Sequence, residues 1–305
     1  MSRQDVSHRL PPGIDSDRFA SLIELACTED LAQRGDITSE AARLPETPQR
    51  YALAARDQGV FCGKGVLAFL LARLAPEARL ASVIPGDDGL PVEPGTEIAV
   101  IECPPATMLA AERMLLNFLQ RLSGVATLTA RYVAAIVGTG AKIYDTRKTV
   151  PGWRELDKYA VRCGGGYNHR VGLFDAVLLK DNHLAGVSTD RLAEVVSQVI
   201  ERARRLHPPP QFVEVEVDNL GQLEALLPVS GIDVLLLDNF SPDELRRAVQ
   251  LRDRAAPDGS IQLEASGGIS LETVGAIART GVDRISVGGL THSAAALDLA
   301  LDRRD

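Results

Sequence analysis

Six short stretches with the texture of β-strands are each followed or ended by residues that handle anions. Asp145-Thr146-Arg147-Lys148 follows the first, and Lys180-Asp181-Asn182-His183 follows the second. The third carries Glu214, Glu216 and Asp218 at alternate positions, which expects all three on one face of a strand. The fourth ends in Asp238-Asn239, the fifth in Ser266-Gly267-Gly268 and the sixth in Gly288-Gly289. Between the first and second lies the loop Gly164-Gly165-Gly166-Tyr167-Asn168-His169-Arg170.

These residue types suggest a division of labour. Paired glycines at late strand ends let backbone N–H groups approach an anion, and a helix N-terminus adds its dipole. Arg147, Lys148, Arg170 and Lys180 can clamp carboxylates or phosphates, arginine as a fork and lysine as a point charge. Glu216 and Asp238 sit among this positive charge. They can hold Mg²⁺, directly or through water, or bind ribose hydroxyls, or they can simply neutralise the rim by salt bridging. His169 and His183 lack metal-ligand spacing, which argues against zinc. A phosphate grip, an acidic pair and a cationic pocket together point to a phosphorylated ribose donor and an anionic acceptor.

The rest of the composition frames this reading. The chain has 305 residues, 45% hydrophobic and 24% charged, an ordinary globular balance for one large or two moderate domains. Its net charge of −8 speaks against nucleic acid, yet residues 142–183 hold eight Lys or Arg against five Asp or Glu. A basic cluster in an acidic chain fits a small-anion site. Cys27, Cys62, Cys103 and Cys163 are far apart with no CxxC, and they read as reduced thiols, Cys163 beside the glycine run being the one to consider for reactivity. No run approaches the ~20 apolar residues of a membrane span, and the polar N-terminus lacks a signal-peptide core. A cytoplasmic location is expected.

The elements that must position these residues fall into two groups. Residues 1–16 are expected to be a flexible tail. Residues 17–125 read as an N-terminal α+β domain. It has an amphipathic helix over 17–31, short strands near 51–55, 60–62, 81–84 and 97–102, and one apolar helix near 66–74. A helix with Thr107 as N-cap is expected to end at Gly124, and a second to run over 126–137. Residues 126–290 then alternate strands with helices over 189–206, 220–227, 242–255 and 271–280, which argues for parallel β/α units. The fold class is α/β: an incomplete, six-stranded β/α barrel with an N-terminal α+β sandwich-like domain, a doubly wound open sheet being the alternative. In such barrels the site lies at the C-terminal strand ends. Residues 291–305 are expected to form a C-terminal helix.

The order Asp145-Thr146-Arg147-Lys148-Thr149, Gly164-Gly165-Gly166, Asn168-His169-Arg170 and Leu179-Lys180-Asp181-Asn182-His183 strongly resembles the quinolinate phosphoribosyltransferase family. The resemblance continues through Gly35-Asp36-Ile37-Thr38, Glu112-Arg113, Leu122-Ser123-Gly124, Glu214-Val215-Glu216-Val217-Asp218, Leu237-Asp238-Asn239, Glu264-Ala265-Ser266-Gly267-Gly268 and Gly288-Gly289-Leu290-Thr291-His292. It implies transfer of phosphoribosyl from phosphoribosyl pyrophosphate to quinolinate with decarboxylation, in NAD biosynthesis, with Mg²⁺ as cofactor. It also implies a homodimer or higher oligomer in which Arg113 is donated to the neighbour's site. By the same resemblance, quinolinate carboxylates meet Arg113, Arg147, His169, Arg170 and Lys180, with Thr146 beside them. Lys148 is the catalytic lysine, Glu216 and Asp238 are the catalytic and Mg²⁺-binding acids, and Ser266, Gly267, Gly268, Val287, Gly288 and Gly289 hold the phosphate. A related enzyme acting on another heteroaromatic acid, or a non-catalytic ribose-phosphate sensor, is the competing reading.

Overall fold

The structure, a computed structural model, describes residues 10–256 and 259–304. The first nine residues of the expected tail lie outside them. The chain groups into two compact units, one made of residues up to 130, 150–165 and 293 onward, the other of residues 131–149 and 166–292.

The first unit opens on helix α1 (Ser16–Leu31), whose Asp15 N-cap accepts from the backbone N–H groups of Asp17 and Arg18, each at 3.0 Å. Helix α2 (Ile37–Ala42) is capped the same way by Asp36. Strands β1 (Gln49–Ala55) and β2 (Gly59–Phe61), helix α3 (Lys64–Leu74), and strands β3 (Arg79–Val83), β4 (Leu90–Val92) and β5 (Glu97–Cys103) follow. The short pieces α2 and β4 carry too little periodicity to be read from sequence. Aromatic side chains tie the helices of this unit together. Phe19 of α1 stacks on Phe69 of α3 at 5.2 Å and meets Phe118 edge-on at 5.7 Å, and Phe118 stacks on Trp153 at 5.0 Å.

Two expectations are corrected here. The two helices expected to meet at Gly124 are one α-helix, α4 (Pro105–Ala135), with proline in its first turn. Gly124 does not end it. A Cβ at that position would lie 2.0 Å from the carbonyl oxygen of Ala295, so the glycine is there to let the C-terminal segment pass close to the helix. The second correction concerns that segment. The expected helix over 291–305 is a strand, β12 (Leu299–Arg304), which pairs antiparallel with β1 from Ala55↔Leu299 to Arg50↔Arg304. The Ala- and Leu-rich run has helical composition, but the open edge of β1 offers a full ladder of hydrogen bonds, and tertiary pairing overrides local propensity. The antiparallel sheet therefore has the order β12-β1-β5-β3, with β2 and β4 forming a separate pair. Helix α5 (Arg154–Cys163), which sequence periodicity did not single out, also belongs to this unit.

The second unit contains the expected six strands, all parallel: β6 (Lys142–Tyr144), β7 (Val177–Leu179), β8 (Val213–Val217), β9 (Val234–Asp238), β10 (Gln262–Ser266) and β11 (Arg284–Ser286). Their order is β6-β11-β10-β9-β8-β7, so the first strand lies beside the last, and no ladder joins β6 to β7 among the described residues. The interior strand β9 is apolar up to its final Asp238, as a strand covered on both faces must be. The connecting helices are α6 (Thr189–Ala203), α7 (Leu220–Leu226), α8 (Pro242–Ala255), α9 (Leu271–Ala278) and the short α10 (Gly289–His292). Helix α6 buries Leu192, Val196, Ile200 and Ala203, one stripe at helical spacing. Helix α8 begins with a capping box between Ser241 and Glu244, with Pro242 at its first position.

The contact at Gly124 gives a direct test. Alanine is the better helix former by about 1 kcal/mol. Gly124→Ala should nevertheless lower stability by roughly 1–3 kcal/mol, the usual cost of overpacking. Denaturant unfolding measures this, and a variant as stable as the parent would show that no such close approach exists.

Candidate active site

At the C-terminal edge of the parallel sheet the second unit opens into a cleft of about 790 Å³. It brings together Thr146, Arg147, Lys148, His169, Arg170, Lys180, Glu216, Asp238, Ser266, Gly267, Gly268, Val287, Gly288 and Gly289. Arg113 is not among the lining residues. It lies exposed on α4, in the first unit. The glycine run Gly164-Gly165-Gly166 does not line the cleft either. Gly164 closes α5, and a Cβ there would sit 2.4 Å from the carbonyl oxygen of Ala126, so its role is steric.

The loop bearing His169 and Arg170 is fastened to the end of β6. The backbone N–H of Tyr167 donates to Ile143, and that of Asp145 donates back to Tyr167, which extends parallel pairing past the strand. Asp145 is fully buried, with one carboxylate oxygen accepting from the His169 N–H at 2.8 Å and the other from the Asn168 amide at 2.7 Å. Asp175 ties down the far side through the N–H groups of Val171 and Gly172.

Two guanidiniums face this cleft without a carboxylate partner. Arg170 is 8% exposed, and neither it nor Arg147 has an acidic side chain within ion-pair distance among the described residues. Arg147 Nε is buried and makes no hydrogen bond. Burial, and next the neighbouring charge of Arg147, lower the pKa of Arg170. Two cations held together in a cleft at this cost form a site for a multiply charged anion.

Beneath them lies a buried quartet. His169 Nε2 is 2.9 Å from Glu214 and 3.3 Å from Glu264, and Arg284 Nε is 2.7 Å from the other oxygen of Glu264. Both glutamates are fully buried. The Glu264–Arg284 pair follows from strand register, since these residues are direct neighbours on β10 and β11. Burial opposes a charge on His169, but the two carboxylates outweigh it and push its pKa up to about 9. The N–H of Arg170, 2.8 Å from Nδ1, calls for a lone pair there, so the proton that all these contacts favour is the one on Nε2. Burial first, and then Glu264, raise the pKa of Glu214, whereas His169 and Arg284 overcome burial to lower that of Glu264. Both ring nitrogens of His169 are thus engaged within the protein.

On the opposite side Lys180 pairs with Glu216 at 2.7 Å, and Asp238 accepts from the Asn239 side chain at 2.7 Å. Neither Glu216 Oε1 nor Asp238 Oδ1 accepts a protein hydrogen bond among the described residues, which leaves two hard oxygens facing the cleft. Such a pair suits Mg²⁺, which keeps most of its own water. Asp218 lies beyond the end of β8, outside this group.

The glycine pairs do more than turn the chain. Gly267 has φ +99°, and a Cβ there would lie 2.1 Å from Asn239 Oδ1. Asn239 itself is left-handed, with φ +57°, and its N–H donates to Ser266. A Cβ on Gly288 would come within 2.9 Å of Lys148 Cδ, so the missing side chain is what gives the lysine room. The lysine's carbonyl is held by Thr291 Oγ1 at 2.8 Å. Sequence reading did not assign the roles of Asp145, Glu214, Asn239, Glu264 and Arg284. Charged residues within otherwise apolar strands, at Glu214, Glu264 and Arg284, were the available signal.

Comparison with known proteins agrees with this geometry. The family model of the quinolinate phosphoribosyl transferase N-terminal domain matches residues 36–123, and that of the C-terminal domain matches residues 125–302. A nicotinate-nucleotide pyrophosphorylase [carboxylating] of Mycobacterium leprae is 42% identical over 94% of this chain and 97% of its own length. Quinolinate phosphoribosyltransferase [decarboxylating] 1b of Nicotiana tabacum is 34% identical over 95% of this chain and 84% of its own. Among solved structures, the nicotinate-nucleotide pyrophosphorylase of Francisella tularensis superposes with a TM-score of 0.84 at 35% identity, covering 95% of this chain and 98% of that one. Six parallel strands, a cationic cleft at their ends and matches across both domains make this chain a member of the quinolinate phosphoribosyltransferase family.

Proposed function

We propose that the cleft carries out the family's reaction, from phosphoribosyl pyrophosphate and quinolinate to nicotinate mononucleotide, pyrophosphate and CO₂, with the lining residues in the roles below. The observation that carries this reading is the pair Arg147 and Arg170, two guanidiniums without carboxylate partners at the mouth of a pocket that also holds an acidic pair and two glycine turns. A dicarboxylate acceptor supplies the missing negative charge.

In this reading the donor's phosphate rests on Ser266, Gly267 and Gly268, with Val287, Gly288 and Gly289 opposite. Lys148, lying over Gly288, meets the departing pyrophosphate. Glu216 and Asp238 would hold Mg²⁺, directly or through water, and the ion would supply neutralisation of pyrophosphate charge. As the bond to pyrophosphate lengthens, positive charge grows at the anomeric carbon, and the same two carboxylates face it. Lys180 is then released from Glu216 to the acceptor. Arg147, Arg170 and Thr146 orient the quinolinate ring so that its nitrogen points at the anomeric carbon. His169, anchored by Glu214 and Glu264, positions Arg170 through the hydrogen bond that the Arg170 N–H donates to its Nδ1. After transfer the ring is cationic, which stabilises the carbanion left when CO₂ departs from the adjacent ring position, and that carbon then takes a proton from water to give the product.

Arg113, exposed and in the first unit, suits donation to a neighbouring site in a homodimer or higher oligomer. The strand order, with the first strand beside the last and a gap between β6 and β7, supports an incomplete barrel. No helix among the described residues is long and apolar enough to cross a membrane, and a cytoplasmic setting belongs to the same proposal.

Purified protein given quinolinate, the donor and Mg²⁺ should form nicotinate mononucleotide and CO₂ in equal amounts and stop when a chelator is added. Turnover unaffected by chelation would remove Mg²⁺ from the scheme, and turnover with nicotinate but not quinolinate would change the acceptor. Arg170→Ala should weaken quinolinate binding by roughly 2–5 kcal/mol while leaving the donor's affinity nearly unchanged. Calorimetry with each ligand separates the two, and equal losses would refute the assignment. Mixing Arg113→Ala chains with Lys148→Ala chains should restore part of the activity in demonstrated heterodimers. Inactive heterodimers would mean that the site is not shared.

A further inference from the structure

Outside the cleft, the first unit contains a second cluster of chemically competent groups. The Sγ atoms of Cys62 and Cys163 and a carboxylate oxygen of Asp88 lie within 4.8 Å of one another. The residues come from separate parts of the chain. Cys62 follows β2, Asp88 precedes β4, and Cys163 is the last residue of α5. Their backbones are in contact as well. The N–H of Gly89 donates to the carbonyl of Phe61 at 3.1 Å, and a Cβ on Gly89 would lie 2.3 Å from the carbonyl oxygen of Cys163 and 3.3 Å from its Cα. Glycine at position 89 is therefore what allows the two cysteine-bearing segments to close on each other.

A metal centre would need Asp88 as a ligand, and its carboxylate is already committed. It accepts from the N–H of Gly63 at 2.9 and 3.1 Å, of Gly65 at 3.0 Å and of Gly89 at 3.2 Å, and from the hydroxyl of Tyr159. Two thiols alone fall short of the four ligands of a structural zinc site. What remains is a pair of reduced cysteines whose sulfurs lie within 4.8 Å of each other.

We propose that Cys62 and Cys163 form a reversible intramolecular disulfide by exchange with a low-molecular-weight disulfide. The pair is asymmetric. Cys62 is fully buried and Cys163 half-buried, so reagents reach Cys163 first. The Cys163 thiolate attacks one sulfur of the external disulfide and releases the first small thiolate. Cys62 then attacks the Cys163 sulfur of the mixed disulfide, its proton passing to the second small thiolate as that leaves. Two protein thiols are oxidised by two electrons, and one external disulfide becomes two thiols. The new bond joins segments about a hundred residues apart in sequence, and it pins the end of α5 from which the chain runs on to His169 and Arg170.

The test is peptide mapping of the folded, full-length protein equilibrated with mixtures of oxidised and reduced glutathione, then acid-quenched and alkylated. The expected result is loss of the Cys62 and Cys163 thiols together and appearance of the peptide linking them, with Cys27 and Cys103 still alkylated. Dithiothreitol should reverse it. Cys62→Ala should instead accumulate one glutathione on Cys163. Should that variant fail to fold, the wild-type map decides alone, because the same treatment in denaturant should scramble the pairing among all four cysteines. Wild-type protein that keeps glutathione on Cys163 while Cys62 is alkylated overturns the proposal. So does the absence of any reaction at either residue, or stoichiometric zinc that protects both thiols.

Discussion

Parallel pairing obliges all six strands of the second unit to finish at the same edge, and the chemistry of this protein depends on that constraint. Segments separated by more than a hundred residues, from Thr146 to Gly289, meet there because each is the continuation of a strand held in register by its neighbours. Asp238 and Ser266 are direct partners across β9 and β10, so an acid and the start of a glycine turn stand side by side with no loop needed to bring them together. The loop from Tyr167 to Arg170 joins the arrangement by borrowing the same ladder, bonding to β6 as a strand would.

Charge within the cleft is arranged in layers. Glu214 and Glu264 are held in the interior by His169 and Arg284, where a carboxylate without such partners would cost roughly several kcal/mol. Arg284 also lies over the ring of Tyr144 at 4.0 Å, which further accommodates its charge. Above this floor, Arg147 and Arg170 are left unbalanced, and Lys180 is occupied only by Glu216. Positive charge is thus concentrated around Arg147 and Arg170, and carboxylate oxygens at Glu216 and Asp238.

The glycines contribute by absence. Gly267 leaves room for Asn239, which orients Asp238, and Gly288 leaves room for Lys148. In the first unit Gly124 admits the C-terminal segment against α4, and Gly89 admits the end of α5 beside β2. None of these roles is a helix stop, the reading that composition suggests for Gly124.

The strand ends, the cationic segments and the acidic pair were readable from sequence because alternation of apolar runs with helical stripes locates strand termini, and charge at a terminus has no packing purpose. The sequence by itself determined the six parallel strands, the main helices between them and, with the family resemblance, fourteen of the residues that line the cleft. Tertiary structure decided the rest. The run from Leu299 to Arg304 has the composition of a helix and is a strand only because β1 presents an open edge. Glu214 shares an alternating acidic strand with Glu216 in sequence, but burial beside His169 makes it, with Glu264, part of the floor of the site rather than its contact surface. Cys62 and Cys163 are unrelated in sequence and come within 4.8 Å of each other where Gly89 lets two backbones close. Local patterns encode what a residue does within its own element, whereas partners across a sheet edge, beneath a cleft or through a missing side chain exist only once the elements have packed.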